Sequence, residues 1–113
     1  MRKKPGIYSE YAIAAFARAA QHQGGIQGRN VPAALRADLV AVEKTFATAE
    51  ADHIAAVKAV YSPHQGNCHV PKCILRERTH AYATAARYSE QTVYRLLTEM
   101  QKFFAEYRGL TVE

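Results

Sequence analysis

Two groups of residues in this chain have side chains and spacings suited to chemistry. The first is His64, Cys68, His69 and Cys73, with His80 a little further on. Thiolate and imidazole are the usual zinc ligands, and four of them could close a tetrahedral structural site. The spacing is Cys-x4-Cys, looser than the paired Cys-x2-Cys units of zinc ribbons. Cys68 and His69 are adjacent, and neighbouring side chains seldom converge on one small ion, so His80 would have to replace His69. The other reading is an exposed loop with one half-buried cysteine and hydrogen-bonded histidines. No cofactor is then expected, and structural zinc is the exception this loop leaves open.

Catalysis is not expected from either arrangement. A cysteine nucleophile beside histidine needs a supporting strand, glycine elbow or oxyanion framework, and the sequence offers none. Asp38, Glu43, Glu50 and Asp52 read as the solvated side of a helix rather than as paired catalytic carboxylates.

The second group lies between Arg76 and Thr98. A glutamine can bind adenine bidentately and an arginine can bind guanine, each contact discriminating by about 1–3 kcal/mol. Gln91 and Arg95 are the expected base readers, with Tyr94 and Thr98 able to reach phosphate or a thymine methyl. Ser89, Glu90 and Thr92 would open the same helix beside them. Arg76, Arg78, His80 and Arg87 precede it, and at least some should face the nucleic-acid backbone, which positions a protein without carrying sequence information.

These side chains need two helices and a tight turn to hold them, and residues 82–97 supply that pattern. Ala83 is small where the first helix must approach the second. Ser89 follows six residues later, Thr92 nine later and Val93 ten later. That spacing matches a helix-turn-helix, whose second helix lies in the DNA major groove. Ser89 can cap the second helix, and Glu90 falls in the first turn, where the macrodipole favours an acid. The turn position usually given to glycine is Arg87, so the backbone there must avoid φ > 0 or tolerate strain.

The rest of the chain reads as helical too. Tyr8 to about His22 is rich in alanine, the best helix former, with Tyr11, Ala15, Ala19 and His22 on one stripe and Ile13, Phe16 and Ala20 beside it. Gly24 to Pro32 is a flexible connection by its glycines. A second helical block runs from Pro32 or Ala33 to about Tyr61, with a phase change near Glu50 to Asp52. That change predicts two helices or a bend, with Asp52 as a possible cap. Tyr61 to Pro71 is a loop by composition. Helices resume over about Cys73 to Arg87 and Glu90 to Tyr107, and Gly109 is a natural stop. Leu96, Met100, Phe103 and Tyr107 continue the inner face of the last helix. Phe104 falls partly outside that stripe, where an exposed aromatic would suggest dimerisation or docking.

The expected fold is all-α, a small helical bundle with a C-terminal helix-turn-helix unit of sigma-like type. Residues 1–32 would form a basic arm, an N-terminal helix and a glycine-rich linker. Residues 33–110 would form the helical domain, with the helix-turn-helix at about 74–107 and the His/Cys loop as an insertion at 62–72. With 113 residues and a net charge of +5 with histidines neutral, the chain suits a polyanionic partner. Its positive residues fall in the arm Arg2-Lys3-Lys4 and in the C-terminal part, at Lys72, Arg76, Arg78, Arg87, Arg95, Lys102 and Arg108. Two cysteines are too few for a disulfide scaffold. No stretch approaches the roughly 20 apolar residues of a membrane span, and the N-terminus does not read as a secretory signal.

The helix ending Ala55-Ala56-Val57-Lys58-Ala59-Val60-Tyr61, the Ala83 to Leu97 pattern and the long terminal helix to Gly109-Leu110 together resemble the Q-type late antiterminators of lambdoid phages. The resemblance covers about residues 33–110, and the His/Cys loop departs from it. It implies a cytoplasmic protein of a bacterial host cell that binds double-stranded DNA beside a phage late promoter. It further implies loading onto bacterial RNA polymerase holoenzyme, with suppression of pausing and termination at the RNA exit channel. The basic arm could then contact nascent RNA or polymerase. Two alternatives stand beside it: a dimeric helix-turn-helix repressor or activator, and a helical adaptor or inhibitor of a host protein that never touches bases. Monomer and homodimer are both open.

Overall fold

The computed structural model of the chain describes residues 6–21 and 32–109. The arm Arg2-Lys3-Lys4, His22, the glycine-rich connection before Pro32 and Leu110 lie outside the described residues. The architecture is all-helical. In order, the elements are α1 (Gly6–Gln21), α2 (Ala33–Thr48), α3 (Ala51–Val60), α4 (Lys72–Ala86) and α5 (Glu90–Arg108). Among the described residues, no helix is long and apolar enough to cross a membrane.

Local chemistry explains most of these boundaries. Pro32 and Pro71 stand at the N-caps of α2 and α4, where a missing N–H costs nothing because the first amides of a helix have no partner. Between α2 and α3 the backbone turns extended at Ala49 (ψ 158°) and Glu50 (ψ 163°). The expected phase change is therefore a break into two helices. Glu50, not Asp52, holds the N-cap position, and it makes no side-chain cap. Asp52 sits in the first turn of α3 instead. α5 ends at Gly109, whose φ of +85° gives the left-handed stop that glycine takes without steric cost.

α5 is the hub, packed against all four other helices. Its buried face is Val93, Leu96, Leu97, Met100 and Phe104, a helical stripe in which each apolar side chain contributes roughly 1.5–3 kcal/mol on burial. Phe104 is 0 % exposed, whereas Tyr107 is 42 % exposed. This corrects the expected inner face, because the stripe turns through Phe104 and leaves Tyr107 on its edge. Phe16 of α1 gathers the aromatic core, with ring centroids 5.8 Å from Phe46, 6.0 Å from Tyr61 and 5.6 Å from Phe104. Ala12, Ala15 and Phe16 belong to the same core as the residues of α5. The small alanines of α1 let it approach closely.

The buried polar side chains Asp38, Thr45 and Thr79 are satisfied locally or across helices. The hydroxyls of Thr45 and Thr79 donate back to Ala41 and Leu75, at 2.7 and 2.8 Å. Asp38 is the larger surprise, at 6 % exposure. It accepts from the Tyr11 hydroxyl and from Arg108 Nε, both at 2.7 Å, and Arg18 lies 3.9 Å away. The expectation that it solvates an outer helix face is corrected: three partners from α1 and α5 close over it.

Residues 61–71 form the expected loop, and it is tied down at several points. His64 and Asn67 exchange backbone hydrogen bonds around Gln65 (φ +52°) and Gly66 (φ +79°), the mark of a type I′ turn. Gln21 donates to the Gly66 carbonyl at 2.8 Å, and Arg18 to Cys68 Sγ at 3.3 Å.

Candidate nucleic-acid interface

Three residues separate α4 from α5, and each has a defined part in the turn. Arg87 takes φ +64°, ψ +38°, so the chain accepts a left-handed residue where glycine would be unstrained. The Arg87 amide donates to the Thr84 carbonyl at 3.3 Å, and the Tyr88 amide to that of Ala83 at 2.9 Å. This pair of bonds is a Schellman closure, and it satisfies carbonyls that the helix end would otherwise leave open. Ala83 is 3 % exposed, as the tight approach of the two helices requires. The Tyr88 ring meets the edge of Tyr82 at 6.4 Å. The Asp52 carboxylate beside its hydroxyl raises the phenol's pKa, so α3 braces the turn.

Ser89 caps α5. Its hydroxyl accepts from the Thr92 amide at 3.1 Å and lies 2.9 Å from the Thr92 hydroxyl. Ser89 and Thr92, both expected at the interface, are thus occupied in building the helix start. Glu90 stands in the first turn with His80 Nδ1 2.6 Å from its Oε2.

Beyond the cap, Gln91, Arg95, Thr98 and Lys102 are all exposed. They recur at intervals of four, three and four residues, which is one stripe along the outer side of a helix. At 1.5 Å per residue the stripe is about 16 Å long. Val93, Leu96, Leu97 and Met100 are buried on the opposite side. Tyr94 flanks the stripe at 45 % exposure. From the sequence Lys102 counts only among the positive residues and not as an interface candidate, although its position four residues beyond Thr98 and seven beyond Arg95 was readable from the same period. Arg76 on α4 and Arg87 in the turn are exposed as well.

Arg78 is different. Its guanidinium donates to the carbonyls of Val60 (3.0 Å), Ser62 (2.6 Å) and Pro63 (3.4 Å), and to the Ser62 hydroxyl (3.2 Å). Rather than joining Arg76 and Arg87 at the surface, it closes the end of α3. That role suits an arginine, whose rigid fork can serve several carbonyls at once.

α3 crosses beneath α5. His53, near its start, lies 2.7 Å from Glu99, while Tyr61, after its end, accepts from Gln101. Glu99 and Gln101 project from α5 roughly 160° apart, so the two ends of α3 meet opposite flanks. The hydrogen bond from His53 lowers the pKa of the Glu99 carboxyl, and Arg95 and Lys102 add to the shift. Burial raises the Tyr61 hydroxyl to about 12.

The His/Cys residues do not share one centre. Cys68 faces Arg18, His80 faces Glu90, Cys73 is exposed, and the His64 and His69 amides serve the turn around Asn67. Among the described residues, no three His, Cys, Asp or Glu side chains are placed to hold a metal ion. At the far end of α5 an open groove of about 450 Å³ is lined by Ala33, Arg36, Ala37, Val40, Tyr107 and Arg108. Comparison with protein-family models, with curated proteins and with solved structures gave no match to this chain.

Proposed function

We propose that the protein is a sequence-specific DNA-binding regulator that lays α5 in the major groove of double-stranded DNA. The observation that carries this reading is the exposed stripe of Gln91, Arg95, Thr98 and Lys102. It begins in the first turn of the capped helix, at its second residue, and lies opposite the buried face. Gln91 and Arg95 offer the two side-chain types best fitted to adenine and guanine edges. Tyr94, Arg87 and Arg76 are exposed as well and would serve as groups for phosphate. Two acids beside the stripe, Glu90 and Glu99, each face an imidazole, which moderates their repulsion of a polyanion.

The regulatory role we assign rests on the resemblance to Q-type late antiterminators. Bound next to a phage late promoter, the protein would load onto bacterial RNA polymerase holoenzyme and suppress pausing and termination. α5 would hold the DNA, and the arm Arg2-Lys3-Lys4 would contact RNA or polymerase.

The test is selection of bound fragments from a random duplex pool at fixed, near-physiological salt, because phosphate contacts alone give salt-dependent, sequence-blind binding. An Arg95→Ala, Gln91→Ala double variant is selected in parallel. The expected result is a defined, asymmetric or directly repeated motif that the double variant loses. An inverted repeat would reassign the protein to a dimeric repressor or activator. No enriched motif would overturn the DNA reading and favour the helical adaptor.

A further inference from the structure

Glu90 is held in a way that neither capping nor the helix dipole requires. The first-turn acid gains from the macrodipole wherever its carboxylate points, and Ser89 already accepts from the Thr92 amide. A reciprocal capping box would need the acid three residues after the cap, and Thr92 stands there. Yet His80, ten residues earlier on α4, reaches across the turn to place Nδ1 2.6 Å from Glu90 Oε2. An ionised carboxylate only accepts, so Nδ1 carries the proton of this bond. Both side chains are exposed, at 70 % and 46 %, and such a surface pair adds little to stability. What it does fix is the direction of the carboxylate. Among the described residues Oε1 takes no other hydrogen bond, so it is left to accept from outside.

Glu90 is the first residue of α5 and the neighbour of Gln91. In a helix laid in the major groove, the N-terminal residues are the ones that reach base edges. A carboxylate there is repelled by phosphate and needs an amino group, and in the major groove it accepts from cytosine N4. We infer that Glu90 is a specificity-determining residue that reads a cytosine amino group, with His80 as the positioning residue that aims its free oxygen. The inference rests on the DNA-binding reading above and deepens it. It sets one base in the target and adds an α4 residue to the recognition surface.

The experiment runs the random-duplex selection with the full-length protein, Glu90→Gln and His80→Ala, checking each variant's helicity by circular dichroism. The wild type is expected to fix cytosine at one column beside the base read by Gln91. Swapping that base pair in a single duplex should weaken wild-type binding about tenfold. Glu90→Gln should keep every other column and shift this one away from cytosine. His80→Ala should broaden the same column alone, which a merely structural role would not do. A wild-type motif with no cytosine column, or one that both variants reproduce unchanged, overturns the inference and leaves the DNA reading standing. Failure of the wild type to select any motif overturns the reading itself. Because the base-pair swap uses unmodified protein, the inference stays testable even if a variant folds poorly.

Discussion

Arg108, the last residue of α5, donates from Nε to Oδ1 of Asp38 in α2 across 2.7 Å. Asp38 is 8 % exposed in its side chain and Arg108 24 %, so the bond is largely screened from water. The carboxylate holds the Arg108 guanidinium above its ordinary pKa. Tyr11 adds its hydroxyl from α1, and burial and the bond to Asp38 raise that phenol's pKa. One acid therefore joins three helices where α5 reaches its end.

Removing that acid should be among the costliest single changes in the chain. Asp38→Ala leaves a guanidinium and a phenol without their acceptor, and breaking a buried pair from one side costs about 3–5 kcal/mol. Partial exposure of Arg108 places the expected loss near the lower figure. Asp38→Asn, which keeps an acceptor oxygen, should lose clearly less. Urea denaturation of the three proteins measures both. Equal stability of Asp38→Ala and the wild type would show that the pair only offsets its own desolvation.

Arg87 invites the opposite kind of change. A non-glycine residue at φ +64° carries a steric cost that glycine does not. Arg87→Gly should stabilise the fold by about 0.5–1 kcal/mol, reduced by the greater freedom glycine gains in the unfolded chain. On the DNA-binding proposal it should also remove one phosphate contact and lower the salt slope of binding by about 1. Thermal melts and binding isotherms at several salt concentrations separate the two effects. A destabilised variant would show that the guanidinium makes a contact outweighing the strain.

Arg78 tests whether a basic residue of α4 acts through the fold or through DNA. Its four hydrogen bonds serve the end of α3 and the loop after it. Hydrogen bonds to charged groups contribute about 1.5–3 kcal/mol, so Arg78→Ala should cost roughly 2 kcal/mol. Arg78→Lys should recover little, since a point charge cannot serve several carbonyls as the fork does. Below the melting transition, the DNA motif and the salt slope of binding should be the same for wild type and Arg78→Ala. A salt slope lower by about 1 in Arg78→Ala would place Arg78 at the interface after all.

What was legible in the sequence was what neighbouring residues decide among themselves. The Ser89 cap, the inward turn of Val93 and Leu96, the close approach at Ala83 and the stop at Gly109 all depend on spacings of a few residues. The helical periods of α2 to α5 and the position of the loop before α4 followed from the same local signals. Contacts set by distant parts of the chain were not legible. Asp38 reads as a solvated acid until Arg108, seventy residues away, folds back onto it. Phe104 reads as an edge residue until Phe16 of α1 covers it. Arg78 and Arg76 differ by two positions and look alike as residue types, yet one faces carbonyls and the other faces water. The candidate recognition stripe was half readable: its period showed in the sequence, whereas the imidazoles opposite Glu90 and Glu99 came only with the packing of α3 and α4 beside α5.

The His53–Glu99 contact gives the fold a defined acid sensitivity. Glu99 is held below the ordinary value of 4.5, first by the hydrogen bond from His53. Below 4.5 the unfolded chain therefore binds more protons at this carboxyl than the folded one, so stability rises with pH through that window. The contribution is fully present above 4.5 and is lost as pH falls through the folded-state value. Glu99 is 42 % exposed in its side chain, so solvent screening keeps the effect small. Glu99→Gln should remove this part of the slope, leaving a urea midpoint that falls less than the wild type's between neutral pH and the acid side of 4.5. His53→Phe should do the same from the other partner. It also removes the buried Nδ1 that has no hydrogen bond and keeps an aromatic ring against Phe103, whose centroid lies 6.2 Å away. Parallel acid slopes in all three proteins would mean that the contact does not bias Glu99 in solution.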